Sequence, residues 1–363
     1  MWYEIEHVEA IDSPALLVYR ERVLENIRLV KSFVGDVSQL RPHVKTHKIR
    51  EVAEMMLAEG IAAFKASTIA EVEMLCLAGA RDVLLAYQPT ETKAVRLRAL
   101  RAAYPNVRIA CLVDNEVTAR MLSKVFEDCT IAVFIDLNVG MNRTGVSPEG
   151  SIGLNRAIHE LSNIYLQGIH AYDGHIHDTD LVMRRQKADQ VFQTAHSTLQ
   201  TLQGMSAHRL QLVLGGTPTF ALHAEHDEVQ VSPGTFVFWD EGYATLLPDL
   251  PFGFAAVLLT RIISIIDEHT VCFDLGHKSV AAENPLPRVQ FLNLDHYYIL
   301  SQSEEHLVVK VLDSGKLKVG AAFYAVPVHI CPTVALYEQV YVVENRRWTK
   351  CWKVIARDRS IVY

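Results

Sequence analysis

Eight residues, Arg41-Pro42-His43-Val44-Lys45-Thr46-His47-Lys48, gather two lysines, two histidines and an arginine between an apolar run and an amphipathic helical pattern. A lysine amine can form a Schiff base with a carbonyl, and nearby cations help hold such an amine neutral enough to attack. A solvated basic loop is the competing reading, since charge clusters generally face water. Three other groups of residues bear on that choice. Gly215-Gly216-Thr217 follows the apolar run Gln211-Leu212-Val213-Leu214, and glycines there let backbone N–H groups approach a phosphate. Tyr172-Asp173-Gly174-His175-Ile176-His177-Asp178 carries two histidines, whose pKa near neutrality suits proton transfer. His329-Ile330-Cys331 sets an imidazole and a thiol two residues apart; on a strand both would point to one side and could share a metal ion. Read alone, Cys331 is as readily a small buried hydrophobe.

The elements needed to position these residues are legible as a rhythm. Apolar strand-like runs at 39–45, 62–66, 82–87, 108–113, 131–137, 165–172, 210–214 and 228–238 alternate with helical patterns such as 49–59, 69–78 and 115–126. Eight strands with intervening helices predict a TIM-type (β/α)8 barrel over 20–250. After Pro251 the texture turns to β-rich runs at 255–266, 270–275, 296–301, 306–312, 324–330, 335–343 and 350–357. An all-β domain is expected there, comprising 1–19 with 251–363. Active sites of barrels lie where strands end. Lys45 falls at the end of the first strand and the glycine pair at the end of the seventh, an arrangement that suggests a phosphorylated aldehyde as cofactor. Lys65, ending the second strand, is the rival lysine, whereas Lys48 reads as solvated.

The bulk numbers narrow the function. With 35 Lys plus Arg against 42 Asp plus Glu, the formal charge of -7 argues against a general nucleic-acid footprint. Cys76, Cys111, Cys129, Cys272, Cys331 and Cys351 are scattered without a CxxC pair, which suits a reducing compartment. With no signal-like N-terminus and no membrane-spanning run, a cytoplasmic enzyme on a small molecule is expected, with no nucleic acid and no membrane as partner.

These motifs, together with Asp12 to Val18, Asp136 to Gly145 (DLNVGMNRTG) and Val326 to Thr333 (VPVHICPT), resemble the D-threonine aldolase and eukaryotic-type D-serine dehydratase family, relatives of the alanine racemases among the fold-type III pyridoxal-phosphate enzymes. The resemblance spans nearly the whole chain. It implies a homodimer acting on a D-amino acid, with pyridoxal 5'-phosphate on Lys45 and His43 and Tyr172 in the cofactor site. It further implies Arg143 near the cofactor's phenolic oxygen, Gly215, Gly216 and Thr217 on the phosphate, and Gly234 and Thr235 completing that grip. Pro218 stands where relatives often have glycine, so one backbone donor is lost. Tyr172, His175 and His177 fall in the loop that carries a tyrosine, glycine and histidine in the aldolases. The family histidine lies at the position of Asp178, so the resemblance does not choose between His175 and His177. His329 and Cys331 match the family's metal pair; relatives of the aldolase type usually carry Asp and take manganese, the dehydratases Cys and zinc. The expected activity is a lyase on D-β-hydroxy-α-amino acids. The Tyr-x-Gly loop favours aldol cleavage to glycine and an aldehyde, and Cys331 favours β-elimination to an oxoacid and ammonia. The reading adopted is the aldolase, with the dehydratase as alternative and a racemase or noncatalytic cofactor carrier as further alternatives. Asp274 to Lys278 and Ser303 to His306 receive no role, and Trp239 and Tyr243 are expected to pack.

Overall fold

The computed structural model describes residues 1–363, which divide into two compact units. One comprises Arg28–Lys45, Arg50–Gly234 and Asp358–Tyr363; the other comprises Met1–Ile27, Thr46–Ile49 and Thr235–Arg357. The N-terminal strand β1 (Ala15–Tyr19) belongs to the latter. The next seven strands form a parallel sheet in sequence order: β2 (Ala63–Ala66), β3 (Asp82–Leu85), β4 (Arg108–Val113), β5 (Ile131–Leu137), β6 (Ile164–Ala171), β7 (Gln211–Leu214) and β8 (Val229–Val231).

The edges of this sheet are joined by the chain segment 40–43. Leu40 bridges to Val231 on β8 and His43 to Lys65 on β2, while Arg41 N donates to Val231 O and Lys65 N to Pro42 O, each at 2.9 Å. The segment thus fills the eighth position of a TIM-type ring, as the strand rhythm predicts. It is not the regular strand expected at 39–45, because Pro42 has no N–H to give a ladder. Val44–Thr46 then tightens into a single 3-10 turn that carries Lys45. The strand expected at 228–238 is likewise short, and Thr235–Val237 forms another such turn.

Leu84, Ala110, Leu112, Ala132, Phe134 and Val213 pack together in the ring interior, where burying each leucine contributes about 1.5–3 kcal/mol. The surrounding helices begin where the sequence supplies caps. Thr68, Asn115, Ser147 and Asp180 accept hydrogen bonds from Glu71, Thr118, Gly150 and Met183 N–H groups. Gly79 ends the helix Ile69–Ala78 at φ +91°, a left-handed turn that glycine adopts without a Cβ penalty.

The second unit is built on β1 with β9 (Ala256–Asp267), β10 (Thr270–Phe273), β11 (Val289–Phe291), β12 (Tyr298–Gln302), β13 (Leu307–Lys310), β14 (Ala322–Pro327), β15 (Gln339–Glu344) and β16 (Arg347–Lys353). The order is β12-β13-β10-β9-β1-β15-β16, with β14 also pairing β9 and β11 pairing β14. β1 lies in the middle, antiparallel to β9 and parallel to β15, and all five of its residues are buried. The unit also takes in the helix Glu241–Leu246, and within 251–363 the expected all-β texture is broken by the 3-10 turn Ile355–Arg357 and by the α-helix Ile330–Leu336. Pro332 falls in its first turn, where a missing N–H is tolerated. No helix is long and apolar enough to cross a membrane.

Candidate functional site

Within the barrel unit, three cations gather on one aromatic ring. Lys45 Nζ lies 6.0 Å, Lys65 Nζ 5.6 Å and Arg143 Cζ 5.2 Å from the centroid of Tyr172. The negative face of the ring attracts each of them, and their convergence makes a focus of positive charge at the C-terminal ends of the strands. Lys45 is exposed on its 3-10 turn, and its N–H donates to His43 Nδ1 at 3.3 Å. Arg143 is held by the loop after β5. There Asn138 Oδ1 accepts from Gly140 N at 3.1 Å and Asn142 N at 3.2 Å, and Gly145 turns back at φ +103°.

The Tyr172 ring is itself seated by glycines. A Cβ on Gly174 would clash with it, and one on Gly216 would lie 2.8 Å from its Cε2. Gly216 therefore serves both the ring and the loop after β7. In that loop Gly215 takes φ +79°, and a Cβ there would meet His223 Cδ2 at 2.8 Å. His223 is fixed by Asp173, whose Oδ2 lies 2.8 Å from its Nε2 and whose Oδ1 accepts from Thr219 Oγ1 at 2.9 Å. Thr217 Oγ1 accepts from Gly234 N at 3.2 Å, joining the loops after β7 and β8. Beside them Ser232 Oγ is buried and has no hydrogen-bond partner in the protein. An exposed amine, a glycine-lined cradle and an orphaned buried hydroxyl together fit a phosphorylated aldehyde.

The metal candidates lie in the other unit, and their local structure differs from expectation. His329 and Cys331 do not share a strand: β14 stops at Pro327, His329 caps the helix Ile330–Leu336, and Cys331 sits in its first turn. The same-side argument from strand geometry is thus replaced by a helix start, which still brings imidazole and thiol within hydrogen-bonding reach. Burial alone would push the His329 pKa down, but the bonds to Cys331 and Glu283 and the charge of Asp240 hold it up at about 9. Glu283 Oε1 lies 2.5 Å from His329 Nδ1, the kind of carboxylate support that leaves Nε2 for an ion. Thr46 Oγ1 and Thr235 Oγ1 lie 3.1 and 3.5 Å from Cys331 Sγ. The donor set is nitrogen plus sulfur, suited to zinc, and no group of three or more His, Cys, Asp or Glu is arranged to hold an ion. The pair thus fits as half of a tetrahedral set.

Residues 18–241 match the family model described as alanine racemase, N-terminal domain, and residues 255–343 match that of a putative serine dehydratase domain. The chain belongs to the alanine racemase N-terminal domain family. Among curated proteins it is 26% identical over 360 residues to a D-threonine aldolase from Arthrobacter sp, covering 96% of this chain and 94% of that protein. It is 25% identical over 240 residues to a D-threo-3-hydroxyaspartate dehydratase from Delftia sp. (strain HT23), covering 63% and 62%. The solved structure of D-threonine aldolase from Filomicrobium marinum superposes with a TM-score of 0.89 at 24% identity, covering 98% of this chain and 97% of that one. The resemblance expected from the motifs therefore holds, and these named relatives are lyases.

Within this alanine racemase-like barrel, His175 and His177 are both exposed, and His175 packs its ring against Gly140, where a Cβ would come 2.9 Å from Nε2. Sequence reasoning gave no role to two interior residues, His170 and Asp136, which lie beside Lys65; Lys65 Nζ is 3.4 Å from His170 Nε2. The available signal was their position among apolar strand residues, where a charge needs a partner. The two motifs left without a role engage each other: Lys278 Nζ pairs with Glu304 at 2.6 Å and Glu305 at 3.3 Å. Asp274 ties strands together, accepting from Thr260 Oγ1 at 2.6 Å and Ser13 Oγ at 2.5 Å. Trp239 and Tyr243 pack as expected, with ring centroids 5.8 Å apart.

Proposed function

We propose that this chain is a pyridoxal-phosphate and metal-dependent lyase acting on D-β-hydroxy-α-amino acids by aldol cleavage to glycine and an aldehyde. The observation that carries the reading is the convergence of Lys45 and Arg143 on Tyr172 beside the Gly215-Gly216 cradle. Bound there, pyridoxal phosphate supplies an electron sink for the pair left on the α-carbon. Lys45 would hold the cofactor through its amine, and Arg143 would offer its guanidinium to the phenolic oxygen. Gly215, Gly216, Thr217 and Gly234 would line the phosphate site; Gly215 N there donates to Ala171 O and Gly234 N to Thr217 Oγ1, and the Ser232 hydroxyl is left to bind the phosphate. His43 supports the Lys45 turn, while Thr235 sits on the Cys331 side. His175 or His177 accepts the β-hydroxyl proton of the substrate. His329 and Cys331 would hold a divalent ion, zinc or manganese, which supplies Lewis acidity toward that hydroxyl. Thr46, the residue after Lys45, makes its hydroxyl contact with the Cys331 thiol.

One observation favours a second reading. A thiolate ligand suits zinc and departure of the hydroxyl, which would give β-elimination. Incubation of the cofactor- and metal-loaded enzyme with D-threonine and D-serine separates the outcomes. We expect glycine and acetaldehyde from D-threonine. Oxoacid and ammonia would establish the dehydratase, and an L-enantiomer the racemase. The visible band of lysine-bound cofactor should be lost in Lys45→Ala. A borohydride-reducible adduct surviving in that variant would overturn the role of Lys45.

A further inference from the structure

Lys65 is out of place in the barrel interior. It lies in register with Leu84, which aligns in turn with Ala110 and Ala132, members of the apolar interior cluster, and it is only 2% exposed. A buried ammonium is costly unless it is paired or gives up its proton. Its hydrogen-bonding neighbour is not a carboxylate but His170 Nε2, at 3.4 Å. His170 Nδ1 lies 2.8 Å from Asp136 Oδ1, and Asp136 Oδ2 accepts from Gln88 Nε2 and Thr144 Oγ1, both at 2.8 Å. Burial opposes ionisation of Asp136, yet these bonds hold its pKa below the usual carboxylate range. A fixed carboxylate keeps the imidazole proton on Nδ1 and leaves Nε2 to accept from Lys65.

The charges around Lys65 are mixed. Burial lowers its pKa most and Lys45 and Arg41 lower it further, while Asp173 and Asp136 oppose them, leaving it at about 7. Arg143 adds to the positive surroundings of His170, whose pKa is lowered first by burial and then by Lys65. Lys65 and Lys45 share the same Tyr172 ring, at 5.6 and 6.0 Å from its centroid.

We propose that Lys65, backed by His170 and Asp136, is a second amine of the active site that moves the α-proton of the amino acid while Lys45 carries the cofactor. This rests on the reading of Lys45 given above. In aldol cleavage the Cα–Cβ bond breaks and its electron pair stays on Cα. The Lys65 ammonium gives a proton to Cα, forming the new C–H bond of glycine and leaving a neutral amine. The β-hydroxyl proton, taken by the loop histidine, passes to solvent, and Lys65 regains one proton from solvent while His170 Nε2 holds its nitrogen in place. No net proton or electron is consumed.

The reverse of this protonation exchanges the α-hydrogen of glycine with solvent, which isolates the step. Cofactor-loaded enzyme is incubated with glycine in D2O, and loss of the α-proton signal is followed by NMR across pH. In Lys65→Met we expect the band of lysine-bound cofactor to persist while exchange falls by about 10²–10⁴-fold, the range of general acid–base catalysis. Lys65→Gln serves as a second variant should the first fail to fold. Exchange at the wild-type rate in a variant that keeps its cofactor band overturns the proposal. So does loss of the band in Lys65→Met with retention in Lys45→Ala, which would exchange the roles of the lysines. Absence of any lysine-bound cofactor in the wild-type protein overturns the underlying reading itself, and is told apart by the band alone.

Discussion

At the scale of single residues, the lysine-rich segment divides its labour sharply. Lys45 is exposed, whereas His47, two residues on, has 0% exposure; its Nδ1 accepts from Ile49 N at 3.1 Å and its Nε2 has no partner. Burial, with Lys48 nearby, pulls the His47 pKa down to about 3 against the hydrogen bond from Ile49. An unfolded chain would protonate the same ring near its ordinary value of about 6.5. Between these two values the unfolded state binds a proton that the native state refuses, so the contribution is full above pH ~6.5 and is lost as pH falls toward ~3. The linked stability is on the order of 4–5 kcal/mol. Urea unfolding of wild type and His47→Gln across this window should show the steeper acid loss in the wild type; parallel profiles would refute the account. The site was partly legible at this scale. Lys45, the glycine pair and Arg143 announced themselves by type and motif. His170 did not, because a histidine inside an apolar strand run looks like any core residue until its neighbours on β2 and β5 are known.

At the scale of elements, the closing segment of the barrel depends on Arg41. Its guanidinium is fully buried and makes two bonds to Asp82, at 2.8 and 3.1 Å, while Nε donates to Gln230 at 2.9 Å. It thereby ties the irregular eighth position to β3 and β8, where Pro42 has removed a ladder bond. Arg41→Met leaves Asp82 with Arg108 alone, a partner 48% exposed, so the cost falls toward the lower end of the about 3–5 kcal/mol that removing one member of a buried pair carries. The expected result is a lower urea midpoint with the band of bound cofactor still present at low temperature; an unchanged midpoint would contradict it. Strand periodicity revealed seven barrel strands and the texture change after Pro251, since both follow from local alternation. It could not foresee the short helix at His329, because a run of Val, His, Ile and Cys has the same β-like composition whether or not Pro332 turns it. Nor could it show that 39–45 would be held by isolated bridges rather than by a ladder.

At the scale of the whole molecule, the two units are interleaved along the chain rather than strung in order. The chain passes from one to the other after Ile27, Lys45, Ile49, Gly234 and Arg357. β1 is the clearest case, since both of its sheet partners come from far downstream. A chain ended at Leu250 would retain every barrel strand but leave Leu16, Leu17 and Val18, all at 0% exposure, without β9 and β15. Such an unpaired apolar strand is a template for aggregation. We expect the truncated chain to be recovered in the insoluble fraction, and a soluble monomer by gel filtration would disprove this.

The same strand sets a clock on biosynthesis. Leu17 pairs with Val257 on one side and Tyr341 on the other, so a ribosome adding about 5–20 residues per second must work for roughly 12–50 s before the first partner emerges. For that interval the most apolar stretch of the N-terminus is a ready ligand for a chaperone, and the barrel strands are made while it waits.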